Sequence, residues 1–448
     1  MNKKIIGSVA IFSIISLGMV LTGTIPTTAV ADTLSLAQTA CPLTHCDRAL
    51  SGQMTVPGIT GPVKQEWKYS QNGVGLGLGA TTASNFIAIS FFTASPYLRA
   101  LNANGTVKWT SGSQIGNTQK SAPLIDANDN VYIADDNYFI KFNKDGGVVW
   151  KKNNPARSAP FSFNVTDEGL LVGAGQSGPI WLANQTTGQV VAQKTLTDTI
   201  AGKTGTFVTV NSPAVSGNRV YVVTQFSANK NYGRLYALDT TGGTIQVAWY
   251  FQFGGTTGGS PLRIGDRIYF DGRRINPTDT TTGLFMFGVR DLGSSYQVLW
   301  NKNIASATGG NDIQTAATAD PRGGLWQFAV QGANLLRLDE LTGQVRESIT
   351  IKDLIGSTVK YAPSSVMTIA SNNGSPLLYV GIVPGTGITG NKYVVGINLS
   401  NNTLAWKHSI GSATTYSQLP VFRSTVAGSK PLLIVPTAAS GIFAISGL

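Results

Sequence analysis

The chain has 448 residues, of which only 12% are charged, with 33 Lys and Arg against 22 Asp and Glu, 52 glycines and 9% aromatic residues. A chain of this length can bury about three quarters of its unfolded surface, so core size sets no limit. Sparse charge and the lack of long amphipathic runs exclude helical bundles and coiled coils, and the glycine and aromatic content fits many strands joined by tight turns.

Lys3 and Lys4 precede the apolar run of residues 5–21, and Ala29 and Ala31 place small residues where a signal peptidase reads, so residues 1–31 are expected to be a signal peptide. An uncleaved anchor is the alternative, because a run of this length falls just short of a span. The expected product is secreted or periplasmic, with possible attachment at the cell surface and no transmembrane segment in the mature chain. Residues 32–62 follow as an N-terminal extension. Its Cys41 and Cys46, the only cysteines, are expected to form a small disulfide contributing about 2 kcal/mol. The spacing is wrong for haem attachment, and His45 and His408 are too few for a zinc site. Deletion of residues 32–60 is expected to be tolerated.

From residue 63 one unit repeats: an apolar strand, a polar turn, and a strand ending in tryptophan, as in "FIKFNKDGGVVW" (139–150) and "LRALNANGTVKW" (98–109). Trp67, Trp109, Trp150, Trp249, Trp300 and Trp406 hold its terminal position, while Ala192 and Glu347 fill it where tryptophan is missing. A spacing of about 40 to 60 residues marks stacked four-stranded blades. Such a blade cannot bury both faces alone, and only a closed ring gives each blade two neighbours. The last unit ends at "GIFAISGL" (441–448) without a fourth strand, and "VKQEWKY" (63–69) has no sheet of its own. Pairing them predicts an all-β, eight-bladed β-propeller over residues 63–448, its blades four-stranded and antiparallel, closed by the N- and C-terminal strands.

The unit A-x-D-x-x-T-G-x-x-x-W resembles the tryptophan-docking repeat of the quinoprotein-type, or PQQ-like, propeller family. "ALDTTGG" (237–243) followed by Trp249 matches with two extra residues; Gly396, Asn398 and Asn402 precede Trp406; Asp339, Thr342 and Gly343 survive where the tryptophan is lost. The resemblance implies that each indole packs between blades with its N–H bonded to the neighbour. It embraces quinoprotein dehydrogenases and the non-enzymatic BamB-type propeller, whose lipidation cysteine has no counterpart here. The dehydrogenases carry adjacent cysteines over the quinone and a calcium or lanthanide held by Glu, Asn and Asp. This chain has no adjacent cysteines, so no PQQ and calcium site is expected.

Other chemistry is weakly signalled. Neither histidine has an evident triad partner, "GVGLGLGA" (73–80) reads as an innermost strand and no phosphate loop, and "DANDN" (126–130) reads as a turn that lacks the residues of a calcium loop. Three long insertions (224–233, 271–283 and 383–391) fall between second and third strands and so crowd one face. That face is expected to be basic, with Lys151, Lys152, Arg157, Arg273 and Arg274 as candidate partner-binding residues, whereas the opposite turns carry acids such as Asp126, Asp291, Asp339 and Glu340. The function expected is a binding or assembly scaffold for an envelope protein or an anionic polysaccharide; nucleic acid is not expected for an exported chain without aromatic and basic interleaving. The alternative is a quinoprotein-like oxidoreductase, or a lyase or hydrolase with its site at the channel mouth.

Overall fold

A computed structural model describes residues 36–70, 75–80, 85–91, 95–116, 121–209, 211–256, 258–306, 316–329, 334–371, 375–385, 390–438 and 440–448. The expected signal peptide lies outside them. Eight antiparallel sheets form an eight-bladed propeller.

Blade 2 shows why these residues make blades. Its strands Leu124–Ile125, Val131–Ala134, Tyr138–Phe142 and Val148–Asn153 run from the axis outward. Successive side chains of a strand point to opposite faces. Val131, Ile133, Ile140 and Phe142 therefore pack with Trp109 of blade 1, while Tyr132, Ala134 and Phe139 pack with Trp150, Phe163 and Trp181 toward blade 3. Inner strands are consequently apolar on both faces, and only outer strands alternate with exposed residues.

In blade 1 the glycine-rich run supplies the innermost strand, Gly75–Ala80. Each outer strand shifts register beside the repeat position, as between Val148 and Trp150, and the bulge persists where alanine or glutamate replaces tryptophan. Blade 8 is closed by Val63–Tyr69 on Gly441–Gly447, in the register Val63↔Gly447 and Tyr69↔Ile442. Two sheets gain strands: the hairpin Leu196–Ile200/Lys203–Thr209 joins blade 4, and Tyr361–Pro363 with Gln53–Met54 joins blade 7. Among the described residues no helix is long and apolar enough to cross a membrane.

Candidate functional site: a filled axis and two unlike faces

Turns between first and second strands and between third and fourth share one face, here the turn face. Connections between second and third strands and from blade to blade share the other, the loop face.

On the turn face the indoles reach across blade boundaries. Nε1 of Trp67, Trp109, Trp150 and Trp300 donates to the carbonyls of Ala103, Lys144, Gln185 and Glu340 at 2.8, 2.9, 3.1 and 3.0 Å. Each acceptor lies in the turn before the next blade's outer strand. The turn glycine allows the approach: at Gly146, with φ +86°, a Cβ would sit 2.8 Å from Trp109 Cγ. Trp249 donates to Asp291 Oδ1 at 2.8 Å. Blade 8 has no continuous turn at this place, and Trp406 bonds instead to Ile59 O at 2.7 Å.

Where the indole is missing, polar groups replace it. Glu347 pairs with Arg337 and, at 3.5 Å, with Arg322; Asp320 holds Arg322 at 2.6 Å and Arg337 at 3.0 Å. So held, Arg322 donates to Leu399 O, the docking carbonyl of blade 7. At the boundary that Ala192 leaves bare, Glu168 accepts from Asn218 Nδ2 at 2.7 Å and from Gly242 N at 3.1 Å. No sequence signal marked these substitutes across the blade boundaries, since Leu399 lies 77 residues from Arg322 and Asn218 lies 50 from Glu168. "DANDN" is a turn: Asp126 accepts from the Asn128 and Asn130 amides and from the Tyr132 hydroxyl.

The N-terminal extension is no appendage, contrary to the sequence expectation. Residues 36–54 thread the axis and bond to blades 2 to 8. Ala37 N donates to Ile125 O, and Ile125 N to Pro42 O; Asn164 Nδ2 and Val215 N donate to Arg48 O; Arg263 N, Ala319 N and Ile369 N donate to the carbonyls of Ala49, Ser51 and Gly52. Gln418 bridges the His45 amide and the Leu43 carbonyl. Cys41, Leu43 and Leu50 are wholly buried and Met54 is 1% exposed. Cys41 and Cys46 are joined by a disulfide that closes the bend, where His45, Cys46 and Leu50 take positive φ. Burial lowers the His45 imidazole to about 4, and its Nδ1 has no hydrogen-bond partner. Burial raises the Asp47 carboxyl against bonds from the Ser51 amide and hydroxyl. The strap passes from blade to blade within a few residues, so it shows no periodicity that could betray it. Past Met54 it crosses to the rim, where Ile59 N donates to the Tyr379 hydroxyl and Leu448 N to Pro62 O.

The basic candidates do not form one cluster. Lys151 and Lys152 stand in the outer strand of blade 2, which pairs as far as Asn153↔Tyr138, and so are not in a connection. Lys151 donates to Gln114 O and lies 4.2 Å from the Tyr138 ring centroid. Arg157 is exposed in the connection to blade 3, and Arg273 and Arg274 open the Arg273–Thr282 loop of blade 5. Among the described residues Arg157, Lys194, Lys203, Lys230, Arg274 and Lys360 have no carboxylate partner. Turn-face carboxylates, in contrast, are compensated from neighbouring elements: Asp291 by Arg219 at 3.4 Å, Glu340 by Arg267 at 2.8 Å, Asp167 by Arg48 at 2.6 Å. Asp339 is pushed up by burial, but bonds from Arg346, Thr342 and two amides bring it down to about 2. His408 is half-buried, and burial lowers its pKa.

The disulfide is locked inside the axial strap, and among the described residues no group of three or more His, Cys, Asp or Glu could hold a metal ion.

A family model described as outer membrane protein assembly factor BamB matches residues 64–271 and 201–445. No curated protein matches the sequence. Among solved structures, quinohemoprotein alcohol dehydrogenase from Comamonas testosteroni aligns with a TM-score of 0.64 at 13% identity, covering 90% of this chain and 80% of that one. A europium-containing methanol dehydrogenase gives 0.63 at 11%, covering 92% and 98%, and BamB from Moraxella catarrhalis 0.51 at 11%, covering 86% and 99%. At such identities the likeness is one of fold.

Proposed function

Because the chain belongs to the family described as outer membrane protein assembly factor BamB, we propose that it is an exported, non-enzymatic propeller that binds an envelope or extracellular partner across its loop face. The filled axis carries this reading: a channel-mouth enzyme needs space between the blades, and residues 36–54 occupy it. The loop face supports it further, since cations without carboxylate partners give that side a positive field. The basic start and apolar run of residues 1–31 support export.

The test is cosedimentation of the mature chain with envelope fragments of its source cells, for wild type and for an Arg157→Gln, Arg274→Gln, Lys360→Gln variant. The reading predicts salt-sensitive sedimentation of wild type and weaker sedimentation of the variant at unchanged melting temperature. Stoichiometric quinone binding on addition of PQQ and calcium, with dehydrogenase activity, would overturn it in favour of the oxidoreductase.

A further inference from the structure

Three segments of the loop face are tied into one ridge across blades 4 and 5. The first is the hairpin Leu196–Ile200/Lys203–Thr209. Ser227 N donates to Thr206 O at 2.8 Å and Thr206 N to Ser227 Oγ at 2.9 Å, which bind the hairpin to the loop 227–232. This loop is fixed by Gln225, whose Nε2 donates to Lys230 O at 2.6 Å and whose Oε1 accepts from Thr256 N. The third segment is the loop 273–282. Arg273 N donates to Gly255 O at 3.0 Å and Gly254 N to Arg274 O at 3.1 Å. The two loops approach only because Gly254 and Gly255 lie between them: a Cβ on Gly254 would sit 2.3 Å from Arg274 Cβ, and one on Gly255 2.6 Å from Lys230 O.

The ridge presents Lys203, Lys230 and Arg274, one from each segment and none with a carboxylate partner among the described residues, and Arg273 stands beside them. Its carboxylates are engaged: Asp198 by Arg234, and Asp279 by the Asn276 amide. The rest is hydroxyl and amide, including Thr197, Thr199, Thr204, Asn229 and Asn231, and no large hydrophobic residue on the three segments is exposed.

Resting on the binding reading above, we infer that this ridge is the docking site of a linear, carboxylate-bearing polysaccharide. Cations on three bonded segments suit a ligand whose charges repeat along a chain. A protein partner would seek an aromatic or aliphatic anchor, and a membrane an apolar residue to insert; the ridge has no fully exposed residue of either kind, and Ile200, Tyr232 and Ile275 are partly buried. Guanidinium and ammonium groups bind carboxylates by charge-assisted hydrogen bonds, and the threonines and asparagines match hydroxyls.

The experiment measures affinity of the mature chain for polygalacturonate, neutral dextran and phosphatidylglycerol vesicles at low salt, for wild type and Lys203→Gln, Lys230→Gln, Arg274→Gln. Expected are binding to polygalacturonate alone, at least tenfold weaker in the variant at an unchanged melting temperature, and no competition by monomeric galacturonate. Equal binding to vesicles or dextran, or undiminished affinity in the variant, overturns the inference. If an Arg157→Gln, Lys360→Gln variant loses the binding instead, the ridge is wrong and the loop-face reading stands. If wild type binds neither polygalacturonate nor envelope fragments, both fall.

Discussion

The turn face and the loop face are built from the same blades and the same chain, yet they treat charge in opposite ways. On the turn face, carboxylates from Asp126 to Glu340 meet cations or amides of neighbouring elements, indoles cross blade boundaries, and the axial strap runs out to the rim. On the loop face, Arg157, Lys203, Lys230, Arg274 and Lys360 stand without carboxylate partners, on connections longer than a turn needs. Groups satisfied inside the molecule are stabilising and have little left to offer a ligand. Groups left to water contribute almost nothing to folding and remain available for recognition.

Substitutions should separate the two faces by size of effect. Largest should be removal of residues 32–62 from the mature chain. This strips hydrogen-bond partners from seven blades and should abolish a single cooperative unfolding transition in calorimetry, whereas a strap that merely decorated the ring could be lost without broadening the melt. Next comes Trp109→Ala on the turn face, expected to cost about 3–5 kcal/mol in urea denaturation; Tyr416→Ala on the loop-face side, where the ring is 55% exposed, should stay within about 0.5 kcal/mol.

Acid should act through the strap. The unfolded chain protonates His45 below about pH 6.5, while the folded chain resists until about 4, so the unfolded state binds the extra proton between these values. Stability should thus fall as pH drops through that window, by an amount of the order of 3 kcal/mol. His45→Asn, which tolerates the positive φ at this position, should flatten that part of the pH–stability profile; an unaltered profile would place the acid sensitivity elsewhere.

Smaller is the effect expected for Arg322→Gln. It removes the donor to Leu399 O and leaves Glu347 to Arg337, and Asp320 to Arg337 and Trp326 Nε1, at a cost of about 1–3 kcal/mol. Smallest is the joint replacement of Lys203, Lys230 and Arg274 by glutamine, which should shift stability by less than about 0.5 kcal/mol while it weakens binding. A large destabilisation there would mean that the loop face is structural after all, and the comparison would collapse.

The ring itself was legible because a blade repeats. Six tryptophans in phase, the unpaired "VKQEWKY" and the missing last strand were enough to count eight blades and to close them. The glycine and Asp or Asn of each turn fell in place with them. What the repeat could not reveal is whatever does not repeat. Residues 36–54 meet a different blade at nearly every step, so neither period 2 nor period 3.6 appears, and positive φ at His45, Cys46 and Leu50 has no signature in those residue types. The substitutes for missing indoles were hidden for a related reason: Arg322 acts on Leu399, and Glu168 on Asn218, so each pairing exists only once the blades stand side by side. The cations of the loop face could be counted from sequence, but that the opposite acids are already compensated, Asp291 by Arg219 and Glu340 by Arg267, needed the fold.

The division of labour between the faces, with a strap locked in the axis, is tested most directly by hydrogen exchange read residue by residue on the mature chain. Amides of residues 45–54, and those of Val215, Arg263, Ala319 and Ile369 that bond to the strap, should exchange only with global unfolding, while the amides of Thr278, Thr280, Thr281 and Thr282 exchange orders of magnitude faster. Fast exchange throughout 45–54, with the blade strands still protected, would show a strap that leaves the channel while the ring stays closed, and would contradict the account.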